Sequence, residues 1–123
     1  MPNTHEPRAG EVWYVEFDPQ VGREQGGIRP ALVISNDYFN RVPNGLHFIV
    51  PITGTDRNIR HHVRVAPPEG NLTKPSVIMC DQARSQSIER FLHLRGVISP
   101  ETLQLVQRKV AEIIDAYELH GLA

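Results

Sequence analysis

The sequence predicts a mainly β, α+β fold: a small β-barrel or curled antiparallel sheet with short helices and one C-terminal amphipathic α-helix. Three observations carry this. Most of the chain breaks into short runs rich in β-branched and aromatic residues, each bounded by Gly, Pro, Asn or Asp. Its last part carries one apolar stripe at helical spacing. Finally, 123 residues suffice for one domain with one core, and for no second.

The strand candidates are 11–17 (EVWYVEF), 31–35 (ALVIS), 46–53 (LHFIVPIT), 62–66 and 76–80. Pro51 lacks the N–H that a ladder needs, so the third run is expected at an edge, at a bulge, or ending near Pro51. Asn36 and Asp37 are good capping residues and place a short helical turn over 36–41. Residues 57–61 and 67–75 read as loops, and 87–96 as a helical turn followed by one more strand. In the C-terminal helix Ser99 is the N-cap, Pro100 takes the first helical position and Glu101 suits the positive helix start. Leu103, Val106, Val110, Ile113, Ile114 and Tyr117 share one side, best read as core packing, and Gly121 is a natural residue to follow the helix. Residues 1–9, with Pro2 and Pro7, read as a flexible N-terminal arm, and 10–123 as the single domain.

Composition narrows the function classes. Apolar residues make up 40% and charged residues 22%, ordinary values for a soluble globular protein. No apolar run approaches the ~18 residues of a membrane span, and the N-terminus lacks the apolar stretch of a signal peptide. Cys80 is the only cysteine; behind Val77, Ile78 and Met79 it reads as a buried structural thiol in a cytoplasmic protein. No His, Cys or Asp cluster has ligand spacing, so neither a metal nor another cofactor is expected.

The net charge of −1 argues against a nucleic-acid binder, but its distribution argues less so. Residues 20–85 hold eight basic side chains against five acidic ones, so positive charge gathers in the middle of the chain. It gathers beside an unusual segment, Gly22 to Pro30 (G-R-E-Q-G-G-I-R-P), in a connection far longer than the about five residues a hairpin needs. Two arginines, a glutamate and paired glycines fit this loop to approach a ligand.

Taken together, G-E-V-W-Y-V-E-F-D-P (10–19), V-G-R-E-Q-G-G-I-R-P-A-L-V-I-S-N-D (21–37), V-P-I-T-G-T (50–55), D-Q-A-R-S (81–85) and the S-P-E-T before the helix form a pattern. In that order, and over nearly everything after about residue 9, the chain resembles the MazF/PemK toxins of bacterial type II toxin–antitoxin systems. The resemblance implies an SH3-like or CcdB-like version of the fold. It implies a metal-independent, sequence-specific endoribonuclease (an mRNA interferase) that cuts single-stranded RNA and arrests growth. The implied partners are the RNA, a cognate MazE-like antitoxin through which the complex binds DNA, and a second copy of the chain in a homodimer, with no membrane.

By the same resemblance the functional arginine maps onto Arg29, the functional threonine onto Thr53, the loop glutamate onto Glu24, and the glutamine before the late arginine onto Gln82. Asp81 stands where a glutamate is common, and the N-terminal arm is longer than usual. Such cleavage uses the ribose 2′-hydroxyl as nucleophile and leaves a 2′,3′-cyclic phosphate and a 5′-hydroxyl. A guanidinium fork at Arg29 suits the charge that builds on the phosphoryl oxygens, and the Thr53 hydroxyl adds a donor. Glu24 is a candidate base, and His61 or His62 a candidate acid. Arg23, Gln25, Gly26 and Gly27 would meet RNA from the loop. Arg57, Arg60 and Arg64 would follow its backbone and Asn36, Asn40 and Gln82 its base edges, with His61 and Arg84 also among the RNA-binding residues. Trp13, Tyr14 and Phe17 read as strand packing. Two other functions stay open: a toxin of this fold that binds DNA gyrase without cleavage, and a catalytically inactive RNA-binding barrel.

Overall fold

The computed structural model describes residues 6–17, 22 and 26–119, with 116–119 as backbone only. Seven strands follow in order: β1 (Glu11–Glu16), β2 (Ile28–Val33), β3 (Leu46–Thr53), β4 (His62–Val65), β5 (Ser76–Met79), β6 (Arg84–Ser87) and β7 (Phe91–Val97). A short helix α1 (Asp37–Asn40) precedes β3, and α2 (Pro100–Leu119) ends the chain. Single 3₁₀ turns cover Glu69–Asn71, Cys80–Gln82 and Ile88–Arg90.

The strands form one antiparallel sheet in the order β4-β5-β3-β2-β1-β7, with β6 also on β3. The sheet curls but does not close, because β4 and β7 end the order without pairing each other. Of the two architectures expected, the curled sheet is the one found.

β3 is the spine. Its first half pairs β6, from Leu46↔Ser87 to Ile49↔Arg84, and its end pairs β5 at Ile52↔Ile78 and Thr53↔Val77. Pro51 therefore lies in a central strand and not at an edge, the first of the places expected for it, though β3 does end two residues further on, at Thr53. The proline is tolerated because Val50 and Pro51 fall between the two ladders, where the 3₁₀ turn at Cys80–Gln82 interrupts the neighbouring chain. β6 escaped the sequence reading because Arg84–Ser87 (RSQS) has no apolar alternation. β2 starts three residues earlier than expected, since Ile28, Arg29 and Pro30 already pair with Glu16, Val15 and Tyr14.

Alternation along the strands supplies apolar side chains to both faces. On one face Val12, Leu32, Val50, Ile52, Val63 and Ile78 pack beneath α2 through its Val106 and Val110. On the other face Trp13, Val15, Phe17, Ala31, Val33, Ile49 and Phe91 form a second cluster. Two register shifts between β1 and β7 bend the sheet around this cluster, setting Trp13 edge-on to Phe91 with ring centroids 5.8 Å apart. Trp13 and Phe17 are thus packing residues, as the sequence suggests.

Ser99 caps α2 as expected: its hydroxyl accepts from the Thr102 amide at 3.1 Å. The apolar stripe is only partly buried, however. Val106 and Val110 are covered, while Ile113 and Ile114 are 43% and 78% exposed, because the helix outruns the sheet that it packs on. Tyr117 and Gly121 lie outside what is described of side chains and chain respectively.

Residues 6–9, expected within a loose arm, are docked. Arg8 pairs Asp37 at 2.9 Å, the Pro7 carbonyl accepts from Asn40, and Glu6 reaches His47 at 3.4 Å. His47 is fully buried beside Phe91, and burial lowers its pKa against the opposing pull of Glu6. Cys80 is buried as expected, and desolvation, aided by Asp81, pushes its thiol up to about 12.

Candidate active site

The site is assembled where β1, β2 and β3 end together. The Phe17 amide donates to the Gly27 carbonyl at 2.8 Å, which ties off the β1–β2 hairpin. Gly27 sits at φ +72°, a left-handed conformation costly for residues with a side chain, so a glycine is needed there. Just past this closure stands Arg29, half-buried and opposite Val15. β2 and β3 pair Ala31 with Pro51. The β2–β3 pairing stops there, two residues short of both Arg29 and Thr53, so both stand just beyond its end.

Both residues line one cavity of about 220 Å³ at the mouth of the sheet, together with Thr73, Lys74, Ser76 and Arg95. The Arg29 Nε donates to the Gly26 carbonyl at 3.1 Å, which orients the guanidinium, and the Thr53 hydroxyl accepts from the Thr55 amide at 3.3 Å. Among the described residues that line the cavity, none is acidic. Beside the apolar Ile28, Pro30, Ile52 and Leu72, its polar side chains are cations and hydroxyls, the donor set that suits an oxyanion such as a phosphate.

The remaining expected residues divide by what they already hold. Arg57 and Arg60 are exposed on the segment between β3 and β4. Arg64, in contrast, is committed: its Nε donates to Asp56 at 2.6 Å and its Nη2 to Asn58 at 3.0 Å. The Asn58 amide and Arg64 together hold the Asp56 carboxyl below its ordinary range. Arg84 places its guanidinium 5.9 Å from the centre of the Phe17 ring, on the same face as Ile49. Gln82 is half-buried in its 3₁₀ turn.

Asn36 caps α1 by accepting from the Phe39 amide at 2.9 Å. Asn40 is 7% exposed, and its amide donates to the Ser35 carbonyl at 2.9 Å. Asn36 thus does the capping that the sequence predicts, while Asn40 has structural work that the sequence did not reveal. The His62 Nε2 meets Asp81 at 2.9 Å, and neither His61 nor His62 lines the cavity of Arg29 and Thr53. Arg23, Glu24 and Gln25 lie outside the described residues.

Lys74 and Arg95 were missed by the sequence reading. Neither carries a local signature: Lys74 stands alone in T-K-P-S, and Arg95 looks like one of the polar positions of L-H-L-R-G. Only the topology brings β7 and the segment before β5 to the mouth of β2 and β3. Tyr14, expected as packing, forms a platform 5.2 Å beneath the Arg95 guanidinium.

An open antiparallel sheet with a helix packed on it is also the fold of a known class of toxins. The model of the PemK-like, MazF-like toxins of type II toxin–antitoxin systems matches residues 8–114, and the chain belongs to that family. It is 31% identical to the endoribonuclease toxin MazF of Escherichia coli strain K12 over 93% of this chain and 99% of that one. With the endoribonuclease PemK of Escherichia coli it shares 36% identity over 76% of this chain and 71% of the other. Among solved structures, MazF of Deinococcus radiodurans superposes with a TM-score of 0.77 at 29% identity, covering 89% of this chain and 97% of the other. A MazE–MazF structure from the same organism gives a TM-score of 0.72 at 30% identity, covering 89% and 96%.

Proposed function

We propose that the protein is a metal-independent endoribonuclease toxin that cuts single-stranded RNA at short sequences and is silenced by a MazE-like antitoxin. The observation that carries this reading is the cavity that Arg29 and Thr53 line together, with no acidic residue among the described residues of its lining. Family membership and relatives named as endoribonucleases support the activity, and solved MazE–MazF neighbours support the antitoxin.

Cleavage begins when the ribose 2′-oxygen attacks the adjacent phosphorus. The P–O5′ bond breaks, a 2′,3′-cyclic phosphate forms, and the 5′-oxygen leaves with a proton. Negative charge grows on the two non-bridging oxygens as the attacking oxygen approaches. The Arg29 guanidinium offers paired donors to those oxygens, and the Thr53 hydroxyl adds a third. Arginine is a poor base at neutral pH, so Arg29 stabilises charge and does not take the 2′-proton. Glu24, in the Gly-rich loop, is the base we assign. Gly26 and Gly27 let that loop close over the strand, and Arg23, Gln25, Arg57, Arg60 and Arg84 bind its backbone. The protein acts in the cytoplasm as a homodimer.

The deciding experiment is cleavage of a randomised single-stranded RNA library in EDTA, with the new ends sequenced. The wild type should cut at one short motif and leave 5′-hydroxyl ends, and Arg29→Ala should lose at least ~100-fold in kcat while RNA binding weakens far less. A library left intact would point to one of the two non-cleaving readings. An equal loss of binding and turnover would reduce Arg29 to an anchor.

A further inference from the structure

We propose that Lys74 and Arg95 form a second phosphate-binding subsite, which holds a phosphate of the RNA strand next to the one being cut. This rests on the reading of the protein as an endoribonuclease and extends its substrate contacts to residues with no assigned role.

The first argument is charge. Lys74 and Arg95 line the same cavity as Arg29 and Thr53, which concentrates three cations in about 220 Å³. Elsewhere Arg8 is matched by Asp37, Arg64 by Asp56 and Lys109 by Glu112, while Arg57 and Arg60 stand exposed on the segment between β3 and β4 and are not gathered in one cavity. Among the described residues, neither Arg29, Lys74 nor Arg95 forms an ion pair. Like charges held together at a strand mouth repel one another, and an anion relieves the repulsion. One phosphodiester carries a single negative charge and already finds its donors at Arg29 and Thr53. A second phosphate of the same strand offsets half the charge of the remaining pair and gives both of them an oxyanion to bind.

The second argument is positioning. The Arg95 Nε donates to the Asn71 carbonyl at 3.2 Å, and its guanidinium lies over Tyr14. That leaves the two Nη groups, the fork that reads phosphate, without a hydrogen-bond partner among the described residues. Lys74 extends across Gly54, the residue after Thr53. A Cβ at position 54 would come within 2.6 Å of the Lys74 Cε, so the missing side chain is what lets the lysine lie there.

The third argument is size. Sites for whole small molecules usually occupy ~300–1,000 Å³, so this smaller cavity suits phosphate groups with the sugars and bases outside.

The test uses a fluorescein-labelled random-sequence pool of 2′-O-methyl RNA, which can bind but cannot be cut. Affinity is measured by anisotropy across a salt series. Lys74→Gln and Arg95→Gln should each weaken binding ~10-fold and make the salt slope shallower by about 0.7, the contribution of one single-strand phosphate contact. Arg95→Lys, which keeps the charge, should recover most of the slope. Gly54→Ala, which displaces the lysine without removing it, should behave as a milder Lys74→Gln. With cleavable RNA, KM should rise more than kcat falls, opposite to the pattern expected for Arg29→Ala. Circular dichroism melts identify any variant that binds poorly because it has unfolded, and Gly54→Ala and Arg95→Lys then carry the comparison. Wild-type affinity and slope in folded Lys74→Gln and Arg95→Gln would overturn the subsite. A wild type that cleaves nothing, with the slope differences intact, would overturn the nuclease reading alone.

Discussion

At the scale of single residues, backbone approach does as much for the site as charge does. Gly96, beside Arg95, is packed so that a Cβ there would meet the Gly70 carbonyl carbon at 2.6 Å, its oxygen at 2.7 Å and the Asn71 Cβ at 2.8 Å. Two of these atoms are backbone and cannot swing aside. The same approach delivers the Asn71 carbonyl to the Arg95 Nε. Gly96→Ala is therefore expected to destabilise the fold by about 1–3 kcal/mol through overpacking. It should also weaken RNA binding under conditions where the variant is still folded, because Arg95 loses its anchor. Urea denaturation and RNA anisotropy on one preparation check both, and wild-type values in each would show that β7 tolerates separation from the Gly70 turn. Sequence alone marks Gly96 only as a strand glycine, since its meaning depends on a neighbour more than twenty positions away.

At the scale of elements, α2 is held at its start by a residue far from it in sequence. Glu69 accepts from the Ser99 amide at 2.9 Å and from the Thr102 hydroxyl at 2.9 Å, adding a carboxylate to the positive end of the helix that Ser99 already caps. Burial pushes the Glu69 carboxyl up, but the hydrogen bonds from Ser99 and Thr102 outweigh it and hold the group below its ordinary value. An acid whose pKa is lower folded than unfolded stabilises the fold at pH values above the unfolded pKa. That stabilisation is lost as pH falls through the folded value. Glu69→Ala should thus cost about 1 kcal/mol at pH 7. The difference from wild type should shrink on acidification below about pH 4.3, the ordinary glutamate value. Chemical denaturation at a series of pH values reads this directly, and a pH-independent difference would mean that Glu69 acts through packing instead. The cap at Ser99 was legible because its signals are adjacent in the chain. Glu69 was not, because the turn that carries it packs only once β7 is in place.

At the scale of the whole molecule, what the sequence revealed and what it hid follow the range of each interaction. The strand runs and the Ser99 cap were readable because alternation and capping are local patterns. Arg29 and Thr53, which line one cavity, were linked in the sequence only by resemblance, since no local pattern joins them. Pro51 misled because its tolerance depends on where two other strands happen to stop. Lys74 and Arg95 meet at the cavity through tertiary contact alone, as Asn40 meets the Pro7 carbonyl. The exposed end of α2 belongs to the same category. The periodic stripe asks for a cover, yet Ile113 and Ile114 remain 43% and 78% exposed on one chain, with Phe39 of α1 at 36%. Exposed apolar surface of this kind on a small domain is stabilised by association. If the molecule is a homodimer, folding and assembly are linked, and mass action makes the melting temperature rise with protein concentration. Light scattering should return close to twice the 13.9 kDa of the chain. Thermal melts over a hundred-fold dilution should shift steadily downward, and a monomer mass with a melting temperature independent of concentration would rule the dimer out.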